Sequence, residues 1–170
     1  MTECTQTQFA FQAHGSRQVT AQFDGGTMTS DAGGLLLREV DRKMNLLPRL
    51  AACFLDGRDP GRVQHSVAEM LSQRVSALAL GYEDLNDHEQ LRQDPVLKLL
   101  VGQAGLEQPL AGKSTLNRLE LGTGANTRYK KITFWKQSID ELLVNVVVEA
   151  HVAAPEQIVL DIDTTDVALH

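Results

Sequence analysis

The sequence predicts a mainly helical protein that closes on the first strand of a sheet, and three observations lead there. Apolar residues recur at helical spacing through most of the stretch from residue 29 to residue 150. Aromatic residues make up only 5% of the 170 residues, with Trp135 the one tryptophan, so an aliphatic, helix-borne core is expected. Near the end the period changes to two. Ile158, Leu160 and Ile162 alternate with Val159, Asp161 and Asp163, the pattern of a buried strand with two carboxylates on one face.

Residues 1–18 are polar and unpatterned and are expected to be mobile. Residues 18–23 read as a short strand, ended by the Asp24-Gly25-Gly26 turn. Thr29 or Ser30 is expected to cap the first helix, with Asp31 in its first turn, where the helix dipole favours an acid. Leu36, Val40, Met44 and Leu47 follow at helical spacing, after Gly33 and Gly34, which weaken the first turn. A short helix is expected near residues 50–55, then a turn cluster over 56–61. Val67, Met70, Leu71, Val75 and Leu78 form one face of a strong helix stopped by Gly81. Shorter helices fit 84–91 and 95–101, the second opened by Pro95 at its first position. A loop spans 102–112, and Ser114 is placed as the cap of a short helix reaching Leu121.

The longest helix is expected over 128–150, with Ile132, Trp135, Ile139, Leu142, Leu143, Val146, Val147 and Ala150 as its apolar stripe. Pro155 parts it from the terminal strand. The chain thus divides into an N-terminal arm with a short strand (1–28), a helical region (29–152) and a strand segment (153–170).

Cys4 and Cys53 have no metal-binding or disulfide spacing and read as free thiols of a reducing compartment. There is no apolar run near the N-terminus for a signal peptide and no stretch of membrane-spanning length. A cytoplasmic location is expected. The net charge of −6 is unevenly spread. Residues 112–139 carry six cations, Lys113, Arg118, Arg128, Lys130, Lys131 and Lys136, against Glu120 alone. Such a segment in an acidic chain is either a phosphate-contact surface or a solvated helix face.

Three motifs carry candidate chemistry. Gly112-Lys113-Ser114-Thr115 looks like the end of a phosphate-binding loop, but Glu107 stands where the opening glycine is needed and no buried strand precedes it. Nucleotide binding is rejected there. The five histidines show no ligand spacing, and metal binding by them is not expected. Asp161-Ile162-Asp163-Thr164-Thr165 admits more than one reading. It matches the D-x-D-x-T loop of haloacid-dehalogenase-like phosphatases, with a nucleophilic and an acid/base carboxylate. It also fits the first strand of an RNase H-like nuclease core, whose strand end supplies a metal-binding acid. A plain strand end with a capping aspartate is the third reading.

The runs DGGTMTSDAGGLLLREVD (24–41), CFLDGRDPGRVQHS (53–66), ALGYEDLNDHEQLRQDP (79–95), STLNRLE (114–120) and IVLDIDTTD (158–166) occur in one order. Together they resemble bacterial insertion-sequence transposases of the DDE type, which place a helical region ahead of an RNase H-like core. The resemblance implies hydrolysis of DNA at element ends followed by strand transfer, with Mg2+ ions held by an Asp-Asp-Glu triad. It implies that Asp163 is the first acid of that triad, with Asp161 on the same strand face as the fallback metal ligand. Arg118, Arg128, Lys130, Lys131 and Lys136 become the candidate DNA contacts. The implied partners are the terminal inverted repeats of the element, and a second copy or an intact transposase. The second Asp and the Glu are expected far downstream, so the chain reads as the front of a longer enzyme, inactive alone. A non-catalytic DNA-binding regulator of transposition is the alternative.

Overall fold

The N-terminal arm pairs with itself. Residues 8–22, 28–103, 105–122, 128 and 130–160 are described by the computed structural model. In it β1 (Gln8–His14) and β2 (Arg17–Gln22) form an antiparallel hairpin, with Phe11 opposite Val19 and a bulge between Phe11 and His14. The turn holds Gly15 at φ +62°, the left-handed region that glycine enters without a side-chain clash. The expectation of a mobile, unpatterned segment is thus corrected for residues 8–18. The signal was the alternation Phe9, Phe11, Ala13 against Val19 and Ala21 across a glycine turn.

The helical region follows, much as its periodicity predicts. Helix α1 (Gly34–Met44) starts later than expected: Gly33 is its cap, and no side chain caps it. Thr29 Oγ1 instead accepts from the Asp31 amide at 3.0 Å, and the Asp31 carbonyl accepts from Gly34. Gly34 is buried because α1 passes tightly over its neighbours, and a Cβ there would lie 3.1 Å from Leu100 Cδ1. Asn45, at φ 53°, breaks the chain between α1 and α2 (Leu46–Ala51), and the Asp41 carboxylate accepts from the Leu47 amide.

After α2, residues Phe54–Asp56 form strand β3, where a helix had been expected to continue. Helix α3 (Val67–Ala79) is the central element. Ser66 and Glu69 close a reciprocal capping box at its start, satisfying two otherwise orphaned amides. Of its expected apolar face, Val67, Met70 and Leu71 are buried, while Leu78 is exposed. A short 3-10 turn (Leu85–Asp87) leads into α4 (His88–Leu91), and α5 (Pro95–Val101) begins with Pro95 at its first position and the Asp94 carboxylate as cap.

Helix α6 (Lys113–Glu120) is capped at Gly112, not Ser114, and the Glu89 carboxylate accepts from its first amide at 3.1 Å. An acid therefore occupies the place where a phosphate-binding loop would hold its ligand, consistent with rejecting that motif.

The expected helix over 128–150 is two elements. Ile132–Phe134 form strand β4, and α7 (Lys136–Glu149) begins only after Trp135. β3 and β4 pair antiparallel, Phe54 against Phe134 and Asp56 against Ile132, and their two phenyl rings meet at 5.7 Å. Trp135 is exposed and packs in no helical stripe.

Two apolar clusters hold the helices. One joins Met70 and Leu71 of α3 to Leu116 and Leu119 of α6 and to Ile132 of β4. The other gathers Val96, Leu97 and Leu100 of α5 with Leu110. At the far end, residues 157–160 have no regular structure, and Ile158, Val159 and Leu160 are exposed, so the buried strand is not formed in its described half. Its other half, with Asp161 and Asp163, lies outside the described residues. Among the described residues no helix is long and apolar enough to cross a membrane.

Candidate nucleic-acid interface

The pairing of β3 with β4 builds a strongly cationic surface. Register puts Asp56 opposite Ile132, so the residues after β3 lie beside those before β4. The Gly57 amide donates to the Lys131 carbonyl at 2.7 Å and fixes that junction. Arg58 is thereby carried next to Lys130 and Lys131, more than seventy positions away in sequence. The last turn of α6 supplies Arg118, and Leu119 of that turn is buried against Ile132.

The result is a cleft of about 480 Å³ lined by Arg58, Arg118, Arg128, Lys130 and Lys131, with Leu121 and Ile132 as its apolar floor. Among the described residues no acid lines it. Glu120, the one acid of the basic stretch, is turned to α3, where Arg74 Nε donates to it at 2.5 Å. Arg74 also donates to the carbonyls of Tyr82 and Glu83, which anchors that arrangement. Glu120 therefore does not face the cleft. Arg118 and Lys131 make no side-chain hydrogen bond or ion pair among the described residues.

Of the five basic residues predicted as contacts, four converge in the cleft. Lys136 does not line it, and its ammonium pairs with Asp140 at 2.8 Å one helical turn on. Arg58 is the member that sequence reasoning missed. Its signal was faint, a cation inside the turn cluster over 56–61, and only the β3–β4 pairing shows where it goes. Arg58 is held by Asp56, and its hydrogen bonds keep the Asp56 carboxyl below the ordinary carboxylate range against a smaller opposing effect of burial. Burial holds the nearby His65 imidazole below its ordinary value, so it stays neutral at pH 7.

A second polar centre is buried between α3, α4 and the segment that leads into α6. Gln73 on α3 is buried, donates from Nε2 to the Ala111 carbonyl at 2.8 Å and accepts at Oε1 from the Ala111 amide at 3.0 Å. The same Nε2 faces His88 Nδ1 at 3.0 Å. Since Ala111 fixes the amide orientation, His88 Nδ1 accepts and Nε2 bears the proton. Burial, its largest cause, and Arg74 lower the His88 pKa.

No three histidine, cysteine or carboxylate groups converge on a metal site among the described residues. The magnesium expectation rests on Asp161 and Asp163, which lie outside them.

A mainly helical unit with a cationic cleft offers a surface of the charge that a polyanion would meet. The family model described as Transposase DDE domain group 1 matches residues 11–170, and the chain belongs to that family of DDE transposases. Members of the family generally work with divalent metal ions. The match gives no support to the phosphatase reading of the Asp161–Asp163 motif. No curated protein and no solved structure matches the chain.

Proposed function

We propose that the helical region grips the phosphate backbone of DNA at the ends of a bacterial insertion sequence, as the DNA-holding part of a transposase whose chemistry centres on Asp163. The observation that carries the proposal is the cleft: five cations meet in one concavity of a chain whose net charge is −6. Family membership supports the same reading. Each phosphate neutralised by such a cation releases condensed counterions, which favours binding at low salt. Contacts of this kind fix register on the duplex without reading bases.

In this proposal the segment after residue 152 enters an RNase H-like core, and Asp163, with Asp161 beside it, is the first acid of the triad. A divalent cation held there, Mg2+ in our assignment, activates the attacking oxygen and stabilises the leaving one. The work is cytoplasmic, where chromosomal DNA lies. Joining two element ends needs two grips, so self-association belongs to the proposal. One acid of three is assigned, and the test on these 170 residues is therefore a binding test.

Titration of a duplex carrying a terminal inverted repeat, over about 50 to 200 mM salt, decides it. Five phosphate contacts give a slope of log K against log salt of about −4.5, a loss of roughly 500-fold across that range. A variant with Arg118, Arg128, Lys130 and Lys131 replaced by glutamine is expected to bind less tightly and with a much flatter slope. Identical slopes for the two proteins would overturn the proposal.

A further inference from the structure

We infer that Arg58 is a pre-set phosphodiester-binding group, locked by Asp56 and the His65 carbonyl so that its Nη1 is held ready in the cleft. The inference rests on the reading of the cleft as a DNA grip.

Four bonds fix the residue. Its backbone amide donates to Asp56 Oδ1 at 3.0 Å and its Nε to the same oxygen at 2.8 Å. Nη2 donates to Asp56 Oδ2 at 2.6 Å and to the His65 carbonyl at 2.9 Å. Those contacts use three of the five guanidinium hydrogens. The two on Nη1 have no partner among the described residues, and Arg58 lines the cleft. The group is planar, so fixing one side fixes the other. The two Nη1 hydrogens diverge within the guanidinium plane, and either can donate a charge-assisted hydrogen bond to a phosphodiester oxygen.

Arg58 differs in this from Arg118 and Lys131, whose side chains make no hydrogen bond or ion pair among the described residues. A long side chain that must be ordered on binding gives up rotamer freedom; Arg58 has already given it up on folding. Because β3 is held to β4, the lock belongs to the same frame that sets Lys130 and Lys131 in place.

The lock itself is an anion, which makes the inference testable by sign. Asp56 stands next to a site for phosphate, so by charge alone its removal strengthens DNA binding. If its function is to hold Arg58, its removal weakens binding. In the full chain, Asp56→Asn is expected to lower affinity for duplex DNA about fivefold at constant salt, the size of one charge-assisted contact. Unchanged or tighter binding by Asp56→Asn overturns the inference. Thermal unfolding is recorded alongside, because Asp56 is also part of β3. Should Asp56→Asn be unfolded at the assay temperature, Arg58→Lys decides. It keeps the charge, but a single ammonium nitrogen cannot hold Asp56 as Nε and Nη2 do and also present a further nitrogen to phosphate. A comparable loss supports the inference, and wild-type affinity in Arg58→Lys overturns it. Salt-insensitive or absent DNA binding by the wild-type chain overturns the reading of the cleft as a whole, not the placement of Arg58 within it.

Discussion

Replacing Gln73 by methionine, which keeps length and volume but removes the amide, is expected to cost about 3–5 kcal/mol of folding stability. The magnitude comes from what the amide satisfies. Its oxygen and nitrogen bond both backbone groups of Ala111, and its nitrogen also meets His88 Nδ1. Ala111 is 1% exposed and His88 is fully buried, so none of the three abandoned groups regains water. Each unsatisfied buried group costs about 1–3 kcal/mol, and the added apolar surface of methionine returns part of the sum. Against a total stability of about 5–15 kcal/mol, such a loss is severe. Urea unfolding followed by far-ultraviolet circular dichroism measures it, with a midpoint lowered by about 2 M for a slope near 2 kcal/mol per molar. A loss below about 1 kcal/mol would refute the reasoning, because it would mean that water or a shifted backbone satisfies Ala111 when Gln73 does not.

Stability is also expected to fall as pH drops from about 7.5 to 5.5. Folding lowers the His88 and His65 pKa values, so the unfolded chain binds more protons. The stabilisation is complete above the ordinary imidazole value of about 6.5 and is lost progressively as pH falls from there through the lower folded-state values. A His88→Leu variant should show a flatter pH profile in thermal melts; an unaltered profile would remove His88 from the account. Gly122→Ala should destabilise by about 1–3 kcal/mol and weaken DNA binding, since its Cβ would lie 2.9 Å from the Leu119 carbonyl oxygen and 3.2 Å from that of Ile132. Thermal unfolding and a DNA titration of the same variant check both. In a transposase of this family, alanine at the position matching Asp163 should abolish cleavage of element ends while DNA affinity stays unchanged, with a smaller effect at the position matching Asp161. Full cleavage activity without Asp163 would move the assignment to Asp161.

The parts of the fold visible in sequence were those set by local rules. Helical periodicity located α3, and Pro95 located the start of α5. Partners distant in sequence were not visible. Strands of three residues, such as β3 and β4, offer too short an alternation to read, and β4 begins inside a run that also satisfies a helical stripe. That stripe made Ile132 and Trp135 look like neighbours on one helix. Ile132 is a buried strand residue, and Trp135 precedes α7 as an exposed one. The same blindness hid Arg58, since a turn residue shows its cleft neighbours only once the strands pair. Charge counting did better with Arg118, Arg128, Lys130 and Lys131, which the β3–β4 junction and α6 bring together. It could not separate Lys136, which lies on α7 beside Asp140.

The orientation of α6 bears on how the cleft exists before any DNA arrives. Five like charges in one concavity repel one another, and a protein that had to hold them apart unaided would be strained there. Glu89 meets the positive end of the α6 dipole, and the negative end, about half an elementary charge, emerges at Leu121 in the cleft. With the Asp56 carboxylate behind Arg58, it relieves the repulsion yet leaves the surface cationic. Neutralising Arg118 or Lys131 should accordingly leave the melting temperature unchanged or slightly raised. The chain can then lose its hold on DNA while keeping its fold, and loss of binding in such variants reports on contact, not on unfolding.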